Sequence, residues 1–194
     1  VMLVSTDGKA IMFPESEVRP MGRDTSGVRG ITLKGDAKML GMEITNGNGD
    51  LFVITEKGYG KRTPVSDYPE HKRGGQGVFT ITMTEKKGNL VACRIVGPQH
   101  ELMIMTNEGV VIRVKARDIS RLGRSTQGVR VMNLDDSDAV SAVARMATAK
   151  KKAAEGDEDQ AALSVATSDA EVADGEDPVD IGGEDEVDED LLDE

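Results

Sequence analysis

The sequence predicts an all-β protein, an array of three propeller-like, four-stranded units followed by a disordered acidic tail. Three observations predict it. Gly8, Gly58 and Gly109 stand 50 and 51 residues apart, and Gly27, Gly77 and Gly128 repeat the same intervals, 19 residues further on in each copy. Each glycine of the first set ends a short turn between apolar runs. Charge is also segregated along the chain, with every Lys and Arg before Ala153. A self-similar period of this size fixes architecture before any local propensity does.

The elements follow in order within each copy. The turns read Ser5-Thr6-Asp7-Gly8, Thr55-Glu56-Lys57-Gly58 and Thr106-Asn107-Glu108-Gly109, and glycine supplies the positive φ of a tight hairpin, so two strands flank each turn. A third strand is expected to open at Val28, Val78 and Val129, just after the second glycine set. A fourth follows in Lys38 to Ile44, Leu90 to Val96 and Ala139 to Met146. The units are bounded at 1–49, 50–100 and 101–148. Four-stranded units of about 50 residues stack as propeller blades, each burying its faces on its neighbours. Three blades do not close a ring, so an end blade should expose apolar surface, and a start at Val1 without Met reads as a piece of a larger array.

Residues 149–194 form the tail. The chain has 194 residues and a net charge of −11, yet 24 basic residues meet only 17 acids up to Lys152, a net +7. The last 42 residues carry the other 18 acids and no basic or aromatic side chain, too little to bury, and should be disordered. As a coil they would reach roughly 35 Å, enough to fold back and compete with a polyanion for the basic body. Aromatic residues make up 3% of the chain, so ten methionines, most of them in expected strands, are read as core filler.

Several classes drop out. Cys93 is the single cysteine, which excludes an intramolecular disulfide and points to a reducing compartment. No apolar run approaches the ~20 residues of a membrane helix, so no membrane partner is expected. His71, His100 and Cys93 lack metal-ligand spacing. Gly60-Lys61-Arg62-Thr63 is not a nucleotide loop, because Arg62 stands where Ser or Thr is required and Thr55 where the first glycine is required. Thr63 likewise breaks the dinucleotide fingerprint that Gly58 and Gly60 would begin.

What remains is a recurring basic pattern. Arg23, Arg73 and Arg124 each lie four residues before a second-set glycine, and repetition would set them in a stripe. Arg29 and Arg130 occupy matching sites after that glycine. Lys61, Arg62 and Lys72 sit on turns of the second copy, while Arg113, Lys115, Arg117 and Arg121 thicken the third. Such a stripe suits phosphate contacts. An arginine at a repeated position also suits bonding to blade carbonyls, and both roles can coexist.

Along Tyr59 to Pro69, Met21 to Gly30 and Arg121 to Val129, the chain resembles the C-terminal domain of the bacterial DNA gyrase A subunit, and the likeness runs through all three copies and the acidic tail. His71-Lys72-Arg73-Gly74-Gly75-Gln76-Gly77 resembles that family's signature box, Gln-Arg-Arg-Gly-Gly-x-Gly, with His71 and Lys72 departing from it. The full box belongs to the family's first blade, so this is a degenerate copy on a later one. The resemblance implies a β-pinwheel, a propeller relative with strands exchanged between blades, whose basic rim wraps DNA so that the ATP-dependent holoenzyme introduces negative supercoils.

The resemblance also implies three partners: double-stranded DNA, the gyrase B subunit, and the remainder of the A subunit. Together the proteins would form an A2B2 heterotetramer, cytoplasmic and nucleoid-associated. Cleavage and the ATP and Mg²⁺ chemistry would lie elsewhere, with no catalytic residue or cofactor here. Two alternatives stand beside it. One is the corresponding domain of topoisomerase IV; the other is a kelch-type protein-interaction propeller, whose blades use spaced Tyr and Trp, whereas this chain has no Trp.

Overall fold

The computed structural model describes residues 1–146, and the acidic tail expected from 149 onward lies outside the described residues. Alternating apolar runs broken by glycine turns give three hairpins: β1 (Met2–Ser5) with β2 (Lys9–Met12), β4 (Asp50–Thr55) with β5 (Tyr59–Pro64), and β8 (Glu101–Thr106) with β9 (Val111–Lys115). The turn glycines take φ of 82°, 76° and 86°, each donating its N–H to the hydroxyl residue three back. The fourth expected strands form as β3 (Met39–Glu43), β7 (Leu90–Val96) and β11 (Val140–Met146), pairing with the first strand of their own hairpins.

The third strands behave differently. β6 (Val78–Phe79) and β10 (Val129–Arg130) pair with the hairpin of the preceding repeat, Lys9↔Phe79 and Ala10↔Val78 in one case, Val129↔Gly60 and Arg130↔Tyr59 in the other. The sheets therefore run β3-β1-β2-β6, β10-β5-β4-β7 and β11-β8-β9, and do not follow the sequence repeats one for one. The strand expected at Val28 is absent, because among the described residues no hairpin precedes β1 to receive it. Exchange also explains the second glycine set. A Cβ on Gly77 (φ 72°) would stand 2.5 Å from the Ala10 carbonyl oxygen, and one on Gly128 (φ 72°) 2.9 Å from that of Gly60. Only glycine fits so close a crossing.

Period-two alternation builds the core. In β4, Leu51 and Val53 join Met2, Val4, Ala10, Cys93 and Ile95 between the first and second sheets, while Phe52 and Ile54 join Leu102, Ile104, Val140 and Val143 between the second and third. Each Val, Leu, Ile, Phe or Met among them contributes about 1.5 to 3 kcal/mol by burial. Tyr68 is buried in the first cluster with its hydroxyl bonded to that of Thr80, and burial pushes its phenol up to about 12.

The methionines do not all fill core. Met2 and Met132 are buried, whereas Met39 and Met42 are exposed, and Met42 pairs with Leu3 on a face of the first sheet that no other sheet covers among the described residues. There Val1, Leu3, Phe13, Met39, Met42 and Ile44 line an open apolar groove of about 810 Å³.

Candidate nucleic-acid interface

After each hairpin the chain makes one turn of 3-10 helix, at Glu15–Glu17, Val65–Asp67 and Ala116–Asp118. The loops of the second and third repeats then run back along the outer strand of the preceding hairpin. Met12 bridges Glu70 and Arg62 bridges Arg121, both in parallel, before Gly77 and Gly128 make the crossing. Most of the basic residues picked out by repetition sit on these loops and the adjoining strands.

Lys61 and Arg62 are corrections to the expected interface. Both are buried, because loop 117–126 lies over the strand that carries them. The Lys61 ammonium donates to the carbonyl oxygens of Gly123 (2.6 Å) and Arg124 (2.8 Å) and to Oγ1 of Thr126 (3.0 Å). Burial pulls its pKa down to about 8. The Arg62 guanidinium donates Nη1 to Oδ2 of buried Asp50 at 2.6 Å and Nε to the Ile119 carbonyl at 3.0 Å. Arg121, on the far side of Asp50, donates Nε to Oδ1 at 2.9 Å while staying largely exposed. Gly58 and Gly60, just before Lys61, suggested a turn, whereas Tyr59–Pro64 is a strand with a neighbour on each side.

The expected stripe of Arg23, Arg73 and Arg124 resolves into three settings. Arg23 is exposed and makes no side-chain bond among the described residues. Arg73 is half-buried and engaged, with Nε donating to the Glu17 carbonyl (2.9 Å), Nη1 to that of Arg29 (3.1 Å), and its backbone N–H to the Glu17 carboxylate (2.7 Å). Arg124 is half-buried with its guanidinium 6.0 Å from the Tyr68 ring centroid. Arg29, Lys72 and Lys115 are exposed, and Arg117 is exposed with only a 3.9 Å contact to Asp118. Arg113 is two-thirds exposed and paired with Glu101.

Arg130 belongs to a cluster that the sequence did not disclose. Its Nη2 donates to the Tyr59 hydroxyl at 2.8 Å, and Lys87 Nζ stands 4.8 Å from the same ring, with Lys57 and Lys86 lining the adjacent recess. The Arg130 hydrogen bond, with smaller contributions from the two charges, draws the Tyr59 phenol below its ordinary value. Repetition gave no cue to Lys86 and Lys87. The places of Lys86 and Lys87 are held by Asp36 and Ala37 in the first copy and by Asp136 and Ser137 in the third, so no cation recurs there.

Hairpins that trade edge strands and carry arginines on their return loops define a propeller-class repeat protein. The family described as DNA gyrase C-terminal domain, beta-propeller, matches residues 1–46, 49–97 and 100–145, and the chain belongs to that family. It is 44% identical over 162 residues to the DNA gyrase A subunit of Staphylococcus aureus strain MRSA252, covering 82% of this chain and 18% of that protein. It is 45% identical over 148 residues to the same protein from strain NCTC 8325 / PS 47, covering 75% and 17%. The chain thus spans under a fifth of the length of these curated relatives. Among solved structures, a DNA gyrase A C-terminal domain superposes with a TM-score of 0.67 at 28% identity, over 75% of this chain and 50% of the other. The C-terminal domain of DNA topoisomerase IV gives 0.69 at 23%, over 74% and 45%, which shows the shared fold alone.

Proposed function

We propose that this chain binds and wraps double-stranded DNA within the A subunit of DNA gyrase, a type IIA topoisomerase that introduces negative supercoils at the expense of ATP. The family membership carries this reading, and the exposed cations on return loops and exchanged strands supply its physical basis. Arg23, Arg29, Lys72, Lys115, Arg117 and Arg124 are the phosphate contacts, with Arg121 and Arg130 contributing their exposed sides. Arg113 contributes less because Glu101 already pairs with it. Cationic loops offset the bending of the duplex, on the order of 1 to 6 kcal/mol for 20 to 30 base pairs, by several contacts at once. Sequence readout has no role.

DNA cleavage and ATP hydrolysis belong to other parts of the A2B2 assembly formed with the B subunit, in a cytoplasmic, nucleoid-associated enzyme, and no cofactor is used by this region. The identity of the curated relatives, rather than the fold, favours gyrase over topoisomerase IV. The test is titration of a labelled duplex at several salt concentrations. Affinity should fall steeply with salt, and Arg117→Ala and Arg124→Ala should each reduce the slope by about 0.9, the equivalent of one phosphate contact, while affecting all sequences alike. Absence of binding at low salt, or sequence-selective binding indifferent to salt, would refute the proposal.

A further inference from the structure

Both loops that recross a hairpin are held alike by a threonine, Thr32 donating to the Gly74 and Gly75 carbonyls and Thr82 to those of Ser125 and Thr126, but their other fastenings run in opposite directions. In the first crossing the loop reaches outward, with Arg73 donating to Glu17 and Arg29 carbonyls while the strand beneath presents Ile11. In the second the strand reaches up. Lys61 occupies the place of Ile11 and binds two carbonyl oxygens and one hydroxyl of loop 123–126, Arg62 binds the Ile119 carbonyl, and Thr63 Oγ1 donates to the Leu122 carbonyl at 2.8 Å. The loop residue above changes in step. Gly75, on which a Cβ would stand 3.3 Å from Ile11 Cδ1, becomes Thr126, whose hydroxyl meets the Lys61 ammonium. Since the strand does the fastening, Arg124, the counterpart of Arg73, makes no hydrogen bond of its own to a carbonyl among the described residues and keeps its guanidinium beside the Tyr68 ring.

We propose that Lys61 is a positioning residue for DNA: its buried ammonium fixes the backbone of residues 123–126, so that Arg124 is held in place by its own carbonyl and its side chain is released for phosphate. The second crossing is then the preorganised contact loop, whereas in the first Arg73 serves the fold. Hydrogen bonds from a charged group are stronger than those between neutral groups, and three of them hold a short turn in one conformation. An arginine presented by a fixed backbone loses less freedom on binding. This rests on the DNA-binding reading above.

The swap seen between the two crossings supplies the test. Lys61→Ile with Thr126→Gly installs the Ile11–Gly75 solution in the second crossing, and Lys61→Met alone serves as a second variant. Three quantities are read on the 194-residue chain: the thermal melt, amide hydrogen exchange at Leu122 and Thr126 without DNA, and affinity for a labelled linear duplex at temperatures where all forms are folded. The double variant should melt near the unaltered chain, exchange faster at those amides, and bind DNA about tenfold more weakly. Arg124→Ala should cost less in that background than in the unaltered chain. Unchanged exchange, or unchanged affinity with the melt restored, would overturn the proposal by showing Lys61 to be structural filler. If the unaltered chain itself failed to bind duplex, the DNA reading would fall and this proposal with it, whatever the exchange data showed.

Discussion

Ile11-Met12-Phe13 and Lys61-Arg62-Thr63 occupy the same place in successive hairpins, and their backbones do the same thing. The N–H of His71 donates to the Met12 carbonyl at 2.8 Å and that of Leu122 to the Arg62 carbonyl at 2.7 Å, each beside a parallel bridge. Their side chains have nothing in common, three apolar groups against two cations and a hydroxyl. Strand exchange is thus set by the turn glycines and the backbone ladder, which tolerate either chemistry. What varies is which partner supplies the polar fastening, and hence which loop arginine is left for another task.

The largest expected effect lies in the polar crossing. Arg62 and Asp50 are buried together, and their equivalents one repeat on, Arg113 and Glu101, form the same pair with Arg113 two-thirds exposed. Arg62→Met strands Asp50 and the Ile119 carbonyl. Breaking a buried pair costs about 3 to 5 kcal/mol, and the lower end is expected because Arg121 still donates to Asp50. Arg113→Met should cost about 0 to 1 kcal/mol, as exposed pairs do. Urea unfolding of the two variants measures the contrast. Equal losses would mean that the covering loop adds nothing to the pair.

This contrast also marks where sequence reasoning succeeds and stops. The hairpins and fourth strands were legible because glycine spacing and apolar alternation are local and repeat three times. Exchange of the third strand was implied only by the family resemblance, since β6 and β10 are two residues long and pair across the repeat boundary. At the candidate interface, Arg23, Arg29 and Arg124 were picked out at repeated positions, and Lys72, Lys115 and Arg117 from local clusters of charge; all six lie exposed or half-buried. Lys61 and Arg62 were misassigned, because nothing in Gly60-Lys61-Arg62-Thr63 reveals that a loop some 60 residues later covers it. Of the cations around Tyr59, Arg130 was picked out by its repeated position, whereas Lys87 was missed because no cation recurs at its place in the other copies.

A smaller effect separates two glycines of one set. Gly27 and Gly77 share a left-handed backbone, φ 76° and 72°, yet a Cβ on Gly27 meets open space while one on Gly77 meets the Ala10 carbonyl oxygen at 2.5 Å. Gly27→Ala should cost about 1 kcal/mol for conformation alone. Gly77→Ala should add about 1 to 2 kcal/mol for the clash, since the obstacle is backbone that moves only with the sheet. Thermal melts of both variants compare them. Equal losses would show that the crossing leaves room and that conformation alone selects glycine.

The smallest effect distinguishes by pH two buried groups, Cys93 and Lys61, that flank Val53 on one face of the second sheet. Between the first and second sheets, burial, with a lesser push from the Glu43 carboxylate against the pull of Arg94, raises the Cys93 thiol from about 9 to about 12. The unfolded chain ionises first, so the stability contributed by the neutral thiol is present below about pH 9 and is lost as pH rises through about 12. At the second crossing, Lys61 faces two carbonyls and a hydroxyl, and its pKa falls from 10.5 to about 8. The unfolded chain then holds the extra proton between those values, so the folded state gains as pH rises through that window. Between about pH 7 and about pH 8.5 each contribution stays under about 1 kcal/mol, but the signs oppose. Measured against the unaltered chain, Lys61→Met should lose ground as pH rises and Cys93→Ala should gain it, with Tyr68 common to all three and cancelling. A Lys61→Met difference that does not change with pH would mean that the ammonium keeps its ordinary pKa and that its three acceptors fully replace water.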